Sequence, residues 1–205
     1  MCLESFMKVE LEDVLFWMDA IRNSDDRYRT LESFWKGQVH SKEWLVKSLE
    51  EMNFYNPNRI VIYGGWNGVL ASLIFNSKMN PNFITSVDID PNCQEIANTV
   101  NKRYEIAGKF KAITADMCEY SQKADIVINT SCEHISQAQY EQWLSIQSND
   151  AWYVLQGNDY FDCDEHVRCA TDIDDFTRMS KIKPFWRGEL ETQKYTRYMI
   201  IGKKK

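Results

Sequence analysis

Proline and glycine are scarce, at 4 and 8 of 205 residues, which excludes collagen-like and low-complexity chains. No apolar run approaches the ~18–20 residues of a bilayer-spanning helix, so no membrane partner is expected. The opening stretch MCLESFMKVELEDVL has no basic segment followed by continuous apolar residues, and no signal peptide is expected there. Basic charge is in deficit: 24 Lys and Arg against 30 Asp and Glu leave a net charge of −6, which argues against a nucleic-acid partner. The six cysteines are scattered and form no disulfide framework, so a reducing, cytoplasmic setting is expected. Core material is plentiful, with 44% apolar and 13% aromatic residues, enough for one domain.

Residues 1–57 read as a helical extension or lid. Leu11, Val14, Leu15, Met18 and Ile21 recur at the spacing of one helix face. After the polar break Asn23–Asp26, Ser41 is placed to cap a second helix carrying Trp44, Leu45, Leu49 and Met52 on its apolar side. From residue 58 to 205 the grammar changes. Apolar runs at Ile60–Tyr63, Phe83–Val87, Phe110–Ile113, Ile126–Ile128 and Trp152–Leu155 alternate with helical patterns. Pro91 opens one helix, and Ser136 with Gln139 forms a capping box for another. Phe185–Leu190 and Tyr195–Ile201 read as two strands joined by a polar turn. The expectation is an α/β fold: a doubly wound, mostly parallel seven-stranded sheet closed by an antiparallel C-terminal hairpin. Between Asp150 and Asp175 eight acids face one base, Arg168, which predicts a solvated loop or lid.

Gly64-Gly65-Trp66-Asn67-Gly68 lies directly between a strand and a helix. Glycines there allow a tight turn and close approach of a nucleotide-like ligand to the backbone. Asp88 closes the second strand, where a carboxylate can accept two hydrogen bonds from ribose hydroxyls.

These residues resemble the class I S-adenosylmethionine-dependent methyltransferases over the segment from Ile60 to Lys205. IVIYGGWNGVL is similar to the family's glycine-rich motif, SVDIDPNCQEIA to the acidic loop after strand two, and AITADM to the segment after strand three. ADIVINTSCEHIS is similar to its fourth-strand motif. The resemblance implies S-adenosyl-L-methionine as cofactor, held by Gly64, Gly65, Trp66, Gly68, Asp88, Ile89, Asp116, Met117 and Asn129. It implies Asp88 on the ribose, Asp116 towards the adenine amino group and the Met117 amide towards the ring. Two positions depart from the pattern: Ile62 stands where an acidic residue is common, and Trp66 replaces the middle glycine. They keep open another transfer from the same cofactor, or its cleavage.

A small-molecule acceptor is expected, handled by His134, Glu133 and Asn129 after the fourth strand, with Ser131 beside them. Imidazole suits proton removal near neutrality, although a helix-entry histidine bonded to backbone is an equal reading. Asn129-Thr-Ser-Cys132 lacks the Pro-Pro-aromatic sequence of amino-methylating nucleic-acid enzymes. No metal is expected. Cys163, His166 and Cys169 have no second ligand pair to complete a zinc site, and Asn129 replaces the carboxylate a Mg²⁺ site near Asn158 and Asp159 would want. Gln38 and Lys42 are candidates for covering the pocket, whereas Trp44 is assigned to core packing. A silent adenosyl-binding module and, more weakly, an NAD-dependent oxidoreductase remain as other readings.

Overall fold

The computed structural model describes residues 8–205, so the first seven residues of the expected N-terminal extension lie outside the described chain. Three helices come first: α1 (Leu11–Asn23), α2 (Arg27–Glu32) and α3 (Lys36–Glu51). There follow β1 (Arg59–Tyr63), α4 (Val69–Phe75), β2 (Phe83–Asp88), α5 (Pro91–Val100), α6 (Lys102–Ile106) and β3 (Phe110–Thr114). The second half contains β4 (Ile126–Asn129), a 3₁₀ turn at Cys132–His134, α7 (Gln137–Ile146), β5 (Trp152–Asn158), α8 (Ile173–Ser180), β6 (Ile182–Glu191) and β7 (Thr196–Lys204).

The seven strands form one sheet in the order β3-β2-β1-β4-β5-β7-β6. The first five are mutually parallel, while β7 runs antiparallel to both β5 and β6. The expected α/β sheet with its closing hairpin is the observed one. Side chains alternate across it with period two. Ile60, Ile62, Ile126 and Ile128 join one core with α3 and α4, and Val61, Tyr63 and Val127 join the other with α7 and Phe176. Both faces are covered, which is why the strands read as unbroken apolar runs.

Local signals explain the helix boundaries. Asp90 caps α5 by accepting from the Asn92 N–H, with Pro91 at the first helical position. Ser136 and Gln139 form the reciprocal capping box of α7. Helix α8 begins inside the segment expected to be a loop: Asp172 accepts from the Asp175 N–H, and Asp174 and Asp175 occupy the first turn. Those acids favour a helix N-terminus, where backbone N–H groups point outwards.

Two expectations for the N-terminal helices need correction. Ser41 does not cap a helix; it lies inside α3, whose N-cap is Trp35. The apolar stripe of α1 does not face the core. Leu11, Leu15 and Met18 are exposed, whereas Asp13 is buried. A polar network turns α1 this way round. Asp13 Oδ2 accepts from Asn76 Nδ2 at 2.6 Å and from the Tyr104 hydroxyl at 2.7 Å. These bonds tie α1 to the end of α4 and to α6. Burial and the Asp13 carboxylate push the Tyr104 hydroxyl well above its usual range.

Asp13→Ala is therefore expected to cost about 1–3 kcal/mol, because two half-buried donors lose a buried charged acceptor. Urea denaturation measures this, with faster amide exchange in α1 as the local signature. An unchanged midpoint would show that α1 is held by other contacts.

Candidate functional site

The strand order reverses between β1 and β4, since β2 and β3 lie to one side and β5, β7 and β6 to the other. The loops leaving β1 and β4 diverge there and open a crevice at the carboxyl ends of the strands. The residues singled out from the sequence fall into two groups along this edge.

The first group surrounds the turn after β1. Gly64 and Gly68 hold φ of 62° and 73°, in the left-handed region that glycine tolerates. Trp66 between them also holds a positive φ, 47°, which is uncommon for a bulky residue. Asp88 holds the turn: its Oδ2 accepts the Trp66 N–H at 2.8 Å, and its Oδ1 accepts the Asp90 N–H at 3.1 Å. Each oxygen keeps acceptor capacity, so the carboxylate can anchor the turn and still receive hydroxyl donors. Asn67 is buried, and neither its amide nitrogen nor its amide oxygen has a partner. Unmet polar atoms in a buried loop are costly unless a ligand answers them. On the far side of the turn, Asn101 Nδ2 donates to the Gly68 carbonyl at 3.0 Å. Ile89 is exposed beyond Asp88, and Asp116 is exposed after β3, its Oδ1 accepting the Cys118 N–H at 2.8 Å.

The second group follows β4. Asn129 is buried at the strand end, its Oδ1 accepting the Ser131 N–H at 3.0 Å and its Nδ2 lying 3.6 Å from the Met117 sulfur. Ser131 Oγ donates to the Gly64 carbonyl at 3.3 Å, which joins the two groups. Glu133 is only 2% exposed. Its Oε1 accepts from Asn158 Nδ2 at 2.8 Å and lies 3.3 Å from the guanidinium of Arg197, itself buried. Its Oε2 has no partner. His134 is exposed next to it, in T-shaped contact with His166 at 4.8 Å between ring centroids.

Helix α3 closes over this second group. Ser41 Oγ donates to Gln156 Oε1 at 3.1 Å, and Gln156 Nε2 returns a bond to the Ser41 carbonyl at 3.3 Å. The next residue, Lys42, donates to Gln38 Oε1 at 2.8 Å. Burial pushes the Lys42 amine down to about 7, helped by the Arg197 charge and opposed by Glu133. Gln38 and Lys42 are thus bonded to each other on α3, and Trp44 packs against the core as expected.

Arg197, Asn158 and His166 were not expected as members of this site. Arg197 pairs with Asn158 across β5 and β7, a neighbour relation set by sheet register rather than by any motif. One sequence signal was present: an arginine inside the run Tyr195–Ile201, which is otherwise apolar after Thr196. The thiols expected beside His166 do not converge with it among the described residues; Glu133 and His134 do. Cys169 instead donates to the Tyr160 carbonyl at 3.3 Å, with its thiol pushed up to about 11 by burial.

No protein-family model matches the chain, and no curated protein matches it. Solved structures do. Mitomycin 7-O-methyltransferase MmcR superposes with a TM-score of 0.64 at 13% identity, covering 91% of this chain and 60% of its own. Magnesium protoporphyrin IX methyltransferase (ChlM) from Synechocystis PCC 6803, solved with bound SAM, gives 0.63 at 14% identity, covering 94% and 91%. A mutant of MtNAS in complex with S-adenosylmethionine gives 0.58 at 16% identity, covering 94% and 72%. The likeness establishes the fold, which is that of the class I S-adenosylmethionine-dependent methyltransferases.

The Lys42 environment carries a pH signature. An amine held at about 7 in the fold, but near ~10.4 in an unfolded chain, binds fewer protons folded than unfolded between those values. Stability contributed at this position therefore rises with pH across that window, and the penalty is full below it. Lys42→Met, which keeps the apolar stem, is expected to raise the thermal midpoint most in acid and least in alkali. A difference from the parent that does not vary with pH would show that Lys42 is not held in this way.

Proposed function

We propose that the chain is a cytoplasmic S-adenosylmethionine-dependent transferase, a methyltransferase acting on a small-molecule acceptor. The observation that carries this is the Asp88 carboxylate, fixed at the end of β2 and bonded to the Trp66 N–H of the glycine turn. The residues present suit the cofactor. Asp88 retains acceptor capacity for ribose hydroxyls, and the unpartnered Asn67 amide gives the turn a buried donor and acceptor without an internal match. Gly64, Gly65, Trp66 and Gly68 would line the cofactor from below, Asp88 and Ile89 from the ribose side, Asp116 and Met117 from the adenine side, and Asn129 from the β4 side. When bound, S-adenosylmethionine supplies a sulfonium centre as an activated leaving group.

This chain's own work is then alignment and proton handling. Asn129, Glu133 and His134 are assigned to the acceptor. They offer it an amide, a carboxylate and an imidazole, and Lys42 adds an amine whose charge changes near neutrality. A small acceptor fits better than nucleic acid, because the net charge is −6 and the segment from 150 to 175 is acidic. A second reading keeps the cofactor and changes the group transferred. It is favoured by Trp66, an indole at positive φ where the family pattern has glycine. Mass spectrometry of turnover products separates the two: S-adenosylhomocysteine accompanies methyl transfer, and methylthioadenosine accompanies aminocarboxypropyl transfer.

Calorimetry tests the reading directly. S-adenosylmethionine and S-adenosylhomocysteine are expected to bind at micromolar concentration, and NAD is not. Asp88→Ala is expected to weaken binding by about 2–3 kcal/mol, through loss of charge-assisted hydrogen bonds and of the turn's anchor. NAD binding without adenosyl-sulfur binding would overturn the assignment.

A further inference from the structure

We propose that Glu133, His134 and His166 form a binding site for a borderline divalent metal ion such as Zn²⁺, at the acceptor end of the crevice. One ligand atom from each residue lies within 4.8 Å of the others, and among the described residues these three converge in this way. Two imidazoles and one carboxylate are the donor set of open metal sites, in which the remaining positions are left to water or substrate.

Convergence alone would be weak. The supporting contacts make the case, because each leaves a donor atom free on the inward side. His166 Nδ1 lies 3.1 Å from the Tyr160 carbonyl, which can only accept, so Nδ1 carries the proton and Nε2 keeps its lone pair. A ring nitrogen donating to a backbone carbonyl is the usual support of a metal-bound histidine. Glu133 is oriented in the same manner. Asn158 Nδ2 and Arg197 both occupy Oε1, while Oε2 is buried and has no hydrogen-bond partner. An unmatched carboxylate oxygen at 2% exposure is an unpaid electrostatic cost in the ligand-free fold, and a cation would relieve it. The segment bearing His166 is also held in place. The Val167 and Arg168 N–H groups both donate to the Glu133 carbonyl, at 2.9 and 3.1 Å. Metal donors at ~2.0–2.2 Å from an ion stand ~3.2–3.5 Å from one another. His134, exposed on one side and in ring contact with His166 on the other, would close the difference by a side-chain rotation.

Arg197 sets the character of the site. Its guanidinium, 3.3 Å from Oε1, shares the carboxylate with the ion, so the ion is held less tightly than in a closed four-ligand structural site. Nitrogen donors also select against Mg²⁺, which prefers an all-oxygen shell. This departs from the metal-free expectation, which weighed His166 against its chain neighbours Cys163 and Cys169 and not against its neighbours in space. In chemical terms the ion would present a Lewis acid to an acceptor hydroxyl or carboxylate. That consequence rests on the proposed transferase reading, whereas ion binding itself does not.

The test is calorimetry with Zn²⁺ and with Mg²⁺ on full-length protein stripped by chelator, with circular dichroism to confirm folding. One equivalent of Zn²⁺ is expected to bind at least 100-fold more tightly than Mg²⁺. His134→Ala and His166→Ala should each weaken Zn²⁺ at least tenfold, in the range seen when a ligand or its support is lost. Cys163→Ser and Cys169→Ser should leave it unchanged. Absence of saturable Zn²⁺ binding, binding indifferent to both histidine variants, or binding lost in the cysteine variants would each overturn the site. S-adenosylhomocysteine titrated into the same samples separates the two claims. Zn²⁺ binding without adenosyl binding would fail the transferase reading and leave the metal site standing.

Discussion

A carboxylate buried as deeply as Glu133 must be neutralised, and the carboxyl ends of β4, β5 and the neighbouring β7 are arranged around that requirement. An uncompensated charge in the interior costs several kcal/mol or more, so each neighbouring element contributes something. Strand β5 supplies the Asn158 amide and β7 the Arg197 guanidinium to the carboxylate, while the chain after β5 fixes the backbone of Glu133 by donating two N–H groups to its main-chain carbonyl. Burial would lower the Arg197 pKa, yet the charge of Glu133 holds it above its ordinary value. The pair is mutually dependent. Lys42, with no carboxylate of its own, is instead pushed down to about 7 by burial in the same surroundings. Burial and the Arg197 charge weaken the Lys42 base, while the same buried acid, Glu133, strengthens Arg197 and opposes the fall at Lys42.

The turn after β1, proposed for the cofactor, follows a different logic, in which backbone strain is held by bonds from its neighbours. Three residues of the five-residue turn after β1 have positive φ, and one of them is a tryptophan. Such a turn persists only when its surroundings over-determine it. Asp88 fixes it from β2 and Asn101 from the end of α5. The same Asp88 is the group we propose for a ribose, and in that reading turn geometry and ligand geometry share one carboxylate.

Much of this was legible in the chain, and the limits have physical causes. The β-strands stood out because burial on both faces demands continuous apolar runs, as at Ile60–Tyr63 and Ile126–Ile128. Asp90 with Pro91 and Ser136 with Gln139 marked helix starts because capping is local chemistry. Orientation of α1 was not legible. Periodicity nominated Leu11, Leu15 and Met18 for the core, and the bonds from Asp13 to Asn76 and Tyr104 decided the opposite. Helix α8 was hidden because the acids that cap it also resemble a solvated loop. Gly64, Asp88 and Asn129, the residues proposed for the cofactor, stood out because they close or directly follow strands. The surroundings of Glu133 did not, because Arg197 meets Glu133 only after β7 pairs with β5 in one particular register. Spacing along the chain carries no record of such a contact.

The two regions meet at a narrow seam. Asn129 touches the Met117 sulfur and holds the Ser131 N–H, and Ser131 reaches the Gly64 carbonyl. The approach is close: a Cβ on Gly64 would sit 2.4 Å from Ser131 Oγ, a distance no side chain could keep. Glycine is therefore required at this position twice over, by φ and by the serine above it. Four residues along from Asn129 stands Glu133, in the same loop. The turn after β1 and the loop that bears Glu133 are therefore in direct contact, through the Ser131 hydroxyl and the Gly64 carbonyl, and neither can be rebuilt without regard to the other.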